Sequence, residues 1–309
     1  GAADAARAKA KGLSAGTEAR VTRRELPYVF AMVGLDIAAP ILLMLGLARD
    51  SSAAVSAGEI SGLKEKLDRL GALAEQYIDI ESVLALAASA PAFEAAPPAL
   101  SPAAPRVRIA VAKDEAFCFL YQENLELLGE LGCELVFFSP MRCAGLPENI
   151  GGLYLPGGYP ELHFEALSGN AAMRRAVKEA VEGGLPTIAE CGGFLYLHDA
   201  LDGFPMAGVI HAPAYKTEKL QRFGYVTLRA TADNLLCAAG ESIRAHEFHY
   251  YGSADNGSAF LATKASSGKR YACSHASATL YVGFPHLYFP ANPAFAANFV
   301  KKAAQYARV

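Results

Sequence analysis

From residue 106 onwards, short apolar runs alternate with longer helical segments, and this alternation constrains the fold more than any other feature of the chain. Four apolar runs are predicted as strands: 106–112, 133–140, 150–158 and 185–190. Three segments are predicted as helices: 119–132, 161–183 and 194–201. Strands that follow one another through helices predict an α/β fold, with a mostly parallel sheet flanked by helices. Beyond residue 205 we expect shorter strands and loops at an edge of that sheet.

The chain of 309 residues is long enough for two domains, and residues 90–105 indicate where they meet. Five prolines are interleaved with alanines there, which is typical of a semi-extended linker. The linker separates the α/β domain, residues 106–309, from residues 58–89, where apolar residues recur at helical spacing. Residues 1–57 form an atypical head, apolar in one part and expected to be disordered in another.

Within that head, residues 29–48 form an apolar run of 20 residues, which is long enough for a membrane-spanning helix. Asp36 and Pro40 lie inside the run and oppose insertion. The alternatives are a buried helix or a disordered apolar segment, and we expect no membrane partner. The formal net charge of −3 includes no basic excess that would indicate nucleic-acid binding. Six widely separated cysteines favour reduced thiols in a cytoplasmic protein.

The segment PTIAECGGFLYL, residues 186–197, places Cys191 between a predicted strand and a predicted helix. A sharp strand-to-helix turn exposes the side chain at its apex, and small residues such as Gly192 and Gly193 avoid a clash beside it. The helix dipole would favour the thiolate, and so lower the pKa of Cys191. A cysteine that only packs in the core is the alternative, and the other five cysteines are interpreted in that way.

A thiol nucleophile needs a base, and His286 is the candidate because a strand delivers it at its end. Gly157 and Gly158 follow another strand, and their amide groups form a potential oxyanion-binding nest. An ordinary Gly-Gly turn is the alternative. The spacing of His246 and His249 would permit two metal ligands, but no third ligand is evident, and no metal site is predicted.

Five motifs in this order resemble one family: PGGYPE, AECGGFLYL, RFGYVTL, RAHEFHY and GFPHLYFPANP. The chain is similar, over residues 106–303, to the class I glutamine amidotransferase domain of cobyrinate a,c-diamide synthases. That resemblance implies a flavodoxin-like fold. Residues 55–88 also resemble the end of the ATP-binding synthetase domain of the same family.

The resemblance implies that Cys191 attacks the side-chain amide of glutamine and that His286 activates the thiol. Gly157, Gly158, Gly192 and Glu247 would form the oxyanion and substrate-binding set. The ammonia would pass to an ATP-binding domain, where the a and c carboxylates of a corrin are amidated. The expected class is a carbon–nitrogen ligase with glutamine as amido donor.

Two positions depart from the family pattern. Many class I amidotransferases carry Glu two residues after the histidine, whereas Tyr288 stands here, and Glu247 is the candidate to orient His286 instead. No G-x-x-x-x-G-K-[ST] motif occurs, so we expect no cofactor in this chain, although ATP and Mg²⁺ are expected for the full-length family. Residues 23–56 resemble one helix of drug/metabolite transporters, which would indicate a fusion, a deletion or an assembly artefact.

Three alternatives stay open at this point. The domain could be an inactive binding or regulatory module of the same fold. It could be the glutaminase part of a nickel-sirohydrochlorin a,c-diamide synthase. It could also be a membrane-tethered glutaminase, if residues 29–48 insert.

Overall fold

The computed structural model describes residues 62–89 and 106–307. The predicted head, its apolar run and the linker therefore lie outside the described residues, and the predicted domain limits stay predictions. Within the described ranges, no helix combines the length and the apolar character needed to cross a membrane.

Two helices make up the described part of the first compact unit: α1, Leu63–Tyr77, and α2, Ile80–Ala88. The helical spacing predicted for this segment is thus confirmed. Lys64 and Asp68 form an ion pair of 2.9 Å one turn apart on α1. Asp79 caps α2, because its carboxylate accepts a hydrogen bond from the amide of Ser82.

The described part of the second unit, residues 106–307, contains fifteen strands, five helices and two short 3₁₀ turns. The strands are β1 Val107–Ala112, β2 Cys133–Phe138, β3 Gly152–Leu155, β4 Thr187–Glu190, β5 His198–Leu201, β6 Phe204–Pro205, β7 Ile210–Lys216, β8 Arg222–Ala230, β9 Ser242–His249, β10 Tyr251–Ser253, β11 Phe260–Lys264, β12 Arg270–Cys273, β13 His275–Ala276, β14 Leu280–Gly283 and β15 His286–Leu287. The helices are α3 Gln122–Glu130, α4 Phe164–Gly169, α5 Ala171–Glu182, α6 Gly192–Leu197 and α7 Pro293–Tyr306. The 3₁₀ turns are Pro160–Leu162 and Phe289–Ala291.

The central sheet has the order β13-β14-β4-β3-β1-β2, and all its pairs except β13–β14 are parallel. Counted along the chain, its five parallel strands follow the order 2-1-3-4-5, which is that of flavodoxin-like folds. The predicted fold class is therefore confirmed. Functional groups in such sheets gather beyond the carboxyl ends of the strands.

The inner strands of this sheet, β1, β3, β4 and β14, are buried on both faces, which explains why they lie in largely apolar runs. Ile109, Tyr154 and Ile188 face a core shared with α3 and α7. Ala110 and Ala189 face a second core on the side of α5 and α6. Packing on both faces holds the strands in place, and it therefore also positions the loops that follow their carboxyl ends.

The helix predicted over 194–201 is confirmed for its first half and wrong for its second half. Helix α6 ends at Leu197, and His198–Leu201 is strand β5, which pairs with β7 and β6. Asp202 and Gly203 link β5 to β6 with positive φ angles of 47° and 85°. An Asp-Gly pair with this backbone is a strong hairpin signal, and it outweighs the apolar helical spacing before it.

The region beyond residue 205 is more extensive than the predicted edge strands. It forms two strands of a four-stranded sheet, β10-β7-β5-β6, and the whole of a five-stranded antiparallel sheet, β12-β11-β8-β9-β15. The last strand of the second sheet carries His286, which pairs with His246 of β9. Strand β14 belongs to the central sheet and β15 to the antiparallel one, so the two sheets meet immediately before His286.

Candidate active site

Cys191 forms the turn between β4 and α6, with φ 46° and ψ −98°. A positive φ is uncommon for a residue with a side chain, costs of order 1–3 kcal/mol and clusters at functional sites. The amide of Cys191 donates to the carbonyl oxygen of Gly283 at 2.8 Å, and the amide of Leu195 donates to the carbonyl of Cys191 at 2.9 Å. This is the geometry expected of a nucleophile elbow with Cys at its apex.

The two glycines after Cys191 let this turn lie against the backbone of its neighbours. A Cβ at Gly192 would lie 3.0 Å from the amide nitrogen of Gly158, and a Cβ at Gly193 would overlap the carbonyl oxygen of Leu155. The glycine pair therefore brings the nucleophile turn directly against the end of β3 and the loop that follows it.

His286 lies on the other side of that loop. A Cβ at Gly157 would overlap the imidazole Cε1, so only glycine leaves room for the ring at this position. Phe119 packs its ring edge-on at a centroid distance of 4.6 Å. Burial first, and then the charges of His246 and His249, lower the pKa of His286 to about 3. The imidazole is therefore neutral at physiological pH, which is the form that can accept a proton.

The loop of Gly157 and Gly158 thus joins the two catalytic candidates. Gly157 supports the His286 ring, while the amide of Gly158 lies beside Gly192. Gly158 has φ 151° and a Cβ there would overlap the carbonyl oxygen of Ala116, so the position requires glycine. The structure brings the predicted nucleophile, base and oxyanion loop together, and their chemical roles stay predictions.

The expected lowering of the Cys191 pKa is wrong. Burial raises the pKa of the thiol, and the charge of Glu161 raises it further, while a hydrogen bond from the amide of Gly192 opposes both. Helix α6 has six residues, so its dipole is weak compared with the cost of an unsolvated thiolate. The thiol is therefore protonated at rest and needs a base at the moment of attack.

Glu247 does not contact the His286 ring. It lies on β9 next to His246, and neighbouring residues of a strand point to opposite faces. Its carboxylate accepts a hydrogen bond from the Tyr271 hydroxyl and lines a cavity of about 150 Å³ together with His249. The structure thus gives no support to an orienting role, and its place in the substrate-binding set stays a prediction.

Glu161 is a carboxylate near the nucleophile to which the sequence interpretation assigned no role. One of its oxygens, Oε2, is buried and has no hydrogen-bond partner among the described residues. Burial raises the pKa of Glu161 to about 7, and its charge is felt at Cys191. Its position at the end of PGGYPE was the available signal.

Glu190 is the second such carboxylate, and it directly precedes Cys191. It is 1% exposed, and it bonds Tyr154 of β3 and the backbone of Leu287. In the sequence, Glu190 is only the residue before the nucleophile, because both of its hydrogen-bond partners are distant along the chain.

The structure does not pair His246 with His249. Three positions apart on β9, they lie on opposite faces, with His249 buried and His246 half-buried. Among residues 62–89 and 106–307, no three His, Cys, Asp or Glu side chains lie close enough to hold a metal ion.

Comparison with known proteins adds a family match to this geometry. Residues 108–289 match the model of the CobB/CobQ-like glutamine amidotransferase domain. The cobyrinate a,c-diamide synthase of Dehalococcoides mccartyi is 38% identical over 250 residues, covering 76% of this chain and 54% of that relative. The cobyrinate a,c-diamide synthase of Caldanaerobacter subterraneus is 40% identical over 238 residues, covering 74% and 52% respectively.

Among solved structures, PurLQS from Thermotoga maritima covers 65% of this chain and 98% of its own, with 16% identity and a TM-score of 0.47. This chain spans about half the length of the curated relatives it matches. The family model covers more than half of the 309 residues and contains both catalytic candidates. The chain therefore belongs to the family of CobB/CobQ-like glutamine amidotransferase domains.

Proposed function

We propose that this domain hydrolyses glutamine with Cys191 as nucleophile and His286 as base, and that the ammonia serves the amidation of cobyrinate. The strained turn of Cys191, held by Gly192 against the loop on which His286 rests, is the observation that carries the proposal. A residue keeps such a backbone only where the surrounding structure enforces it.

The reaction starts from a thiol and a neutral imidazole. The sulfur of Cys191 forms a bond to the amide carbon of glutamine, and the thiol proton passes to His286. The developing oxyanion accepts hydrogen bonds from backbone amides at Gly158 and Gly192, each worth about 3 kcal/mol in comparable acyl transfers. His286 then protonates the leaving nitrogen, the C–N bond breaks, and ammonia departs.

The resulting thioester is resolved by water. His286 accepts a proton from the water as its oxygen attacks the acyl carbon, and then returns that proton to the sulfur as glutamate leaves. The electron balance closes without a metal or a redox cofactor in this half-reaction. The raised pKa of the Cys191 thiol keeps it protonated until a base accepts its proton.

The corrin role rests on the relatives, which are named cobyrinate a,c-diamide synthases. That name favours cobyrinate over nickel sirohydrochlorin as the ring that receives the ammonia. The ATP and Mg²⁺ implied for the full-length family would activate the carboxylates. The described residues contain no G-x-x-x-x-G-K-[ST] loop and so do not fit these groups, and no step here is assigned to them.

The six cysteines are all free thiols, which supports a cytoplasmic location.

Glutamine-dependent glutamate release by the full chain and by Cys191→Ser tests the proposal. We expect the substitution to abolish the activity, since a hydroxyl at this buried turn is a far poorer nucleophile than a thiol. Cys237→Ser is the matched control, because Cys237 is also buried but lies away from the site. Equal glutamate release by all three proteins would refute the proposal, and so would its absence in the unsubstituted chain, which would indicate a binding module instead.

A further inference from the structure

Three buried polar side chains lie behind the proposed nucleophile and take no part in the mechanism above. Glu190, Tyr154 and Asn124 are all between 0% and 1% exposed. They come from β4, β3 and α3, so tertiary packing alone brings them to the segment after His286. Polar groups buried this deeply cost free energy unless each is hydrogen-bonded, so their partners are informative.

Glu190 uses both carboxylate oxygens. Oε1 accepts from the amide of Leu287 at 2.9 Å, and Oε2 accepts from the Tyr154 hydroxyl at 2.9 Å. Burial raises the pKa of Glu190 to about 8, although the hydrogen bonds from Leu287 and Tyr154 act to lower it. An apolar side chain at this position would avoid that cost, but it would leave the Leu287 amide without its partner.

Asn124 holds the same segment from the other side. Its Nδ2 donates to the carbonyl oxygen of Leu287 at 2.8 Å, and its Oδ1 accepts from the amide of Phe289 at 2.8 Å. Both polar groups of the Leu287 backbone are thus bound by buried side chains. Pairing of His286 with His246 fixes the segment on a third side.

The imidazole of His286 has no comparable support. Its Nδ1 is buried and has no hydrogen-bond partner among the described residues. In nucleophile–base–acid arrangements, the acid usually bonds the ring and holds it in the correct orientation. Here Tyr288 stands where many class I amidotransferases carry that acid, and the ring is held by packing against Gly157 and Phe119.

We propose that Glu190 is the positioning residue for His286, and that it acts through the backbone of Leu287 rather than through the imidazole. The carboxylate precedes the nucleophile in the chain and bonds the peptide that follows the base. One side chain therefore sets the separation between Cys191 and His286. Tyr154 ties the same carboxylate to β3, the strand that leads to Gly157. This inference rests on the proposed glutaminase function.

Two substitutions of Glu190 separate positioning from proton transfer. Glu190→Ala removes the bond to Leu287, and a displacement of about 1 Å at a catalytic group lowers kcat on the order of 100-fold. Glu190→Gln keeps an amide oxygen that can accept from Leu287, so we expect kcat to fall less than about tenfold. KM for glutamine should change little in either variant, because neither alters a substrate contact.

Thr187→Val is the matched control for lost stability. Thr187 is also fully buried on β4, but its hydroxyl bonds the carbonyl of Leu185 and not the segment after His286. We expect it to lower stability while keeping kcat within about twofold. The rate of Cys191 alkylation by iodoacetamide, measured against pH, is the second readout, since it reports how well His286 accepts the thiol proton.

The outcomes are distinct. Selective loss of kcat in Glu190→Ala, with a slower alkylation near neutral pH and rescue in Glu190→Gln, supports positioning. Equal losses in Glu190→Ala and Thr187→Val, or folded Glu190→Gln as inactive as Glu190→Ala, would overturn it. If the unsubstituted chain itself releases no glutamate, the proposed glutaminase function is refuted. The pH dependence of Cys191 alkylation in the unsubstituted chain and in Glu190→Ala then still decides whether Glu190 acts on His286.

Discussion

Replacement of Gly157 by alanine is the sharpest test of how the base is held. The added methyl group would overlap Cε1 of His286 and lie 3.0 Å from Nδ1 and 3.3 Å from Nε2. The backbone of Gly157 does not require a positive φ, so alanine causes no strain of its own. The whole effect therefore falls on the imidazole.

The magnitude follows from the overlap. Carbon atoms in contact are separated by about 3.5–4.0 Å, so the ring must move by on the order of 1 Å. No described hydrogen bond holds Nδ1, and the ring can therefore yield without breaking a bond. Because a catalytic group misplaced by about 1 Å loses on the order of 100-fold in rate, we expect kcat for glutamine hydrolysis to fall by about that factor.

The assay is steady-state glutamate release, combined with chemical denaturation of the same proteins. Gly129→Ala serves as the control, since a Cβ at this helical position meets nothing within 4 Å. It should keep kcat and gain about 0.5–1 kcal/mol of stability, because alanine suits a helix better than glycine. A folded Gly157→Ala protein with unchanged kcat would refute the placement of His286 as the base.

Two further predictions concern stability. Gly193→Ala places a Cβ on the carbonyl oxygen of Leu155, and this backbone atom cannot rotate away. The free energy of unfolding, measured in urea, should therefore fall by about 1–3 kcal/mol or more. An unchanged urea midpoint would contradict the close approach of α6 to β3. Burial lowers the pKa of His198 to about 4, so between that value and about 6.5 the unfolded chain binds a proton that the folded chain excludes. Stability should therefore fall on acidification through this window, by about 2 kcal/mol at pH 5 for this group, and His198→Gln should remove that share. Identical pH dependence of the unfolding free energy in both proteins would exclude His198 as a source.

The parallel strands and the nucleophile turn could be predicted because their signals are local. Strands β1 and β4 are buried on both faces, so the segments that contain them, 106–112 and 185–190, are largely apolar and can be recognised in the sequence. The turn at Cys191 is likewise marked by the two glycines that follow it. In each case, a window of about ten residues contains the cause of the structure.

The remaining features depend on contacts between distant parts of the chain. Glu190 bonds Tyr154, which is 36 residues away along the chain, and Leu287, which is 97 residues away. No spacing rule connects these positions. The reversed direction of the Cys191 pKa shift has the same origin, because burial depends on the packed domain while the helix dipole is visible locally. The wrong helix at His198 differs, since the Asp-Gly pair that ends β5 was available in the sequence.

The junction between β14 and β15 has a consequence for how the chain tolerates changes in length. Only Phe284 and Pro285 separate the last residue of the central sheet from His286 in the antiparallel sheet. A strand alternates its faces with every residue, so deleting or inserting one position here would turn the imidazole away from Gly157 and Phe119, against which it packs. In a deletion scan, these two linking residues should behave like core positions, although connecting segments ordinarily accept such changes.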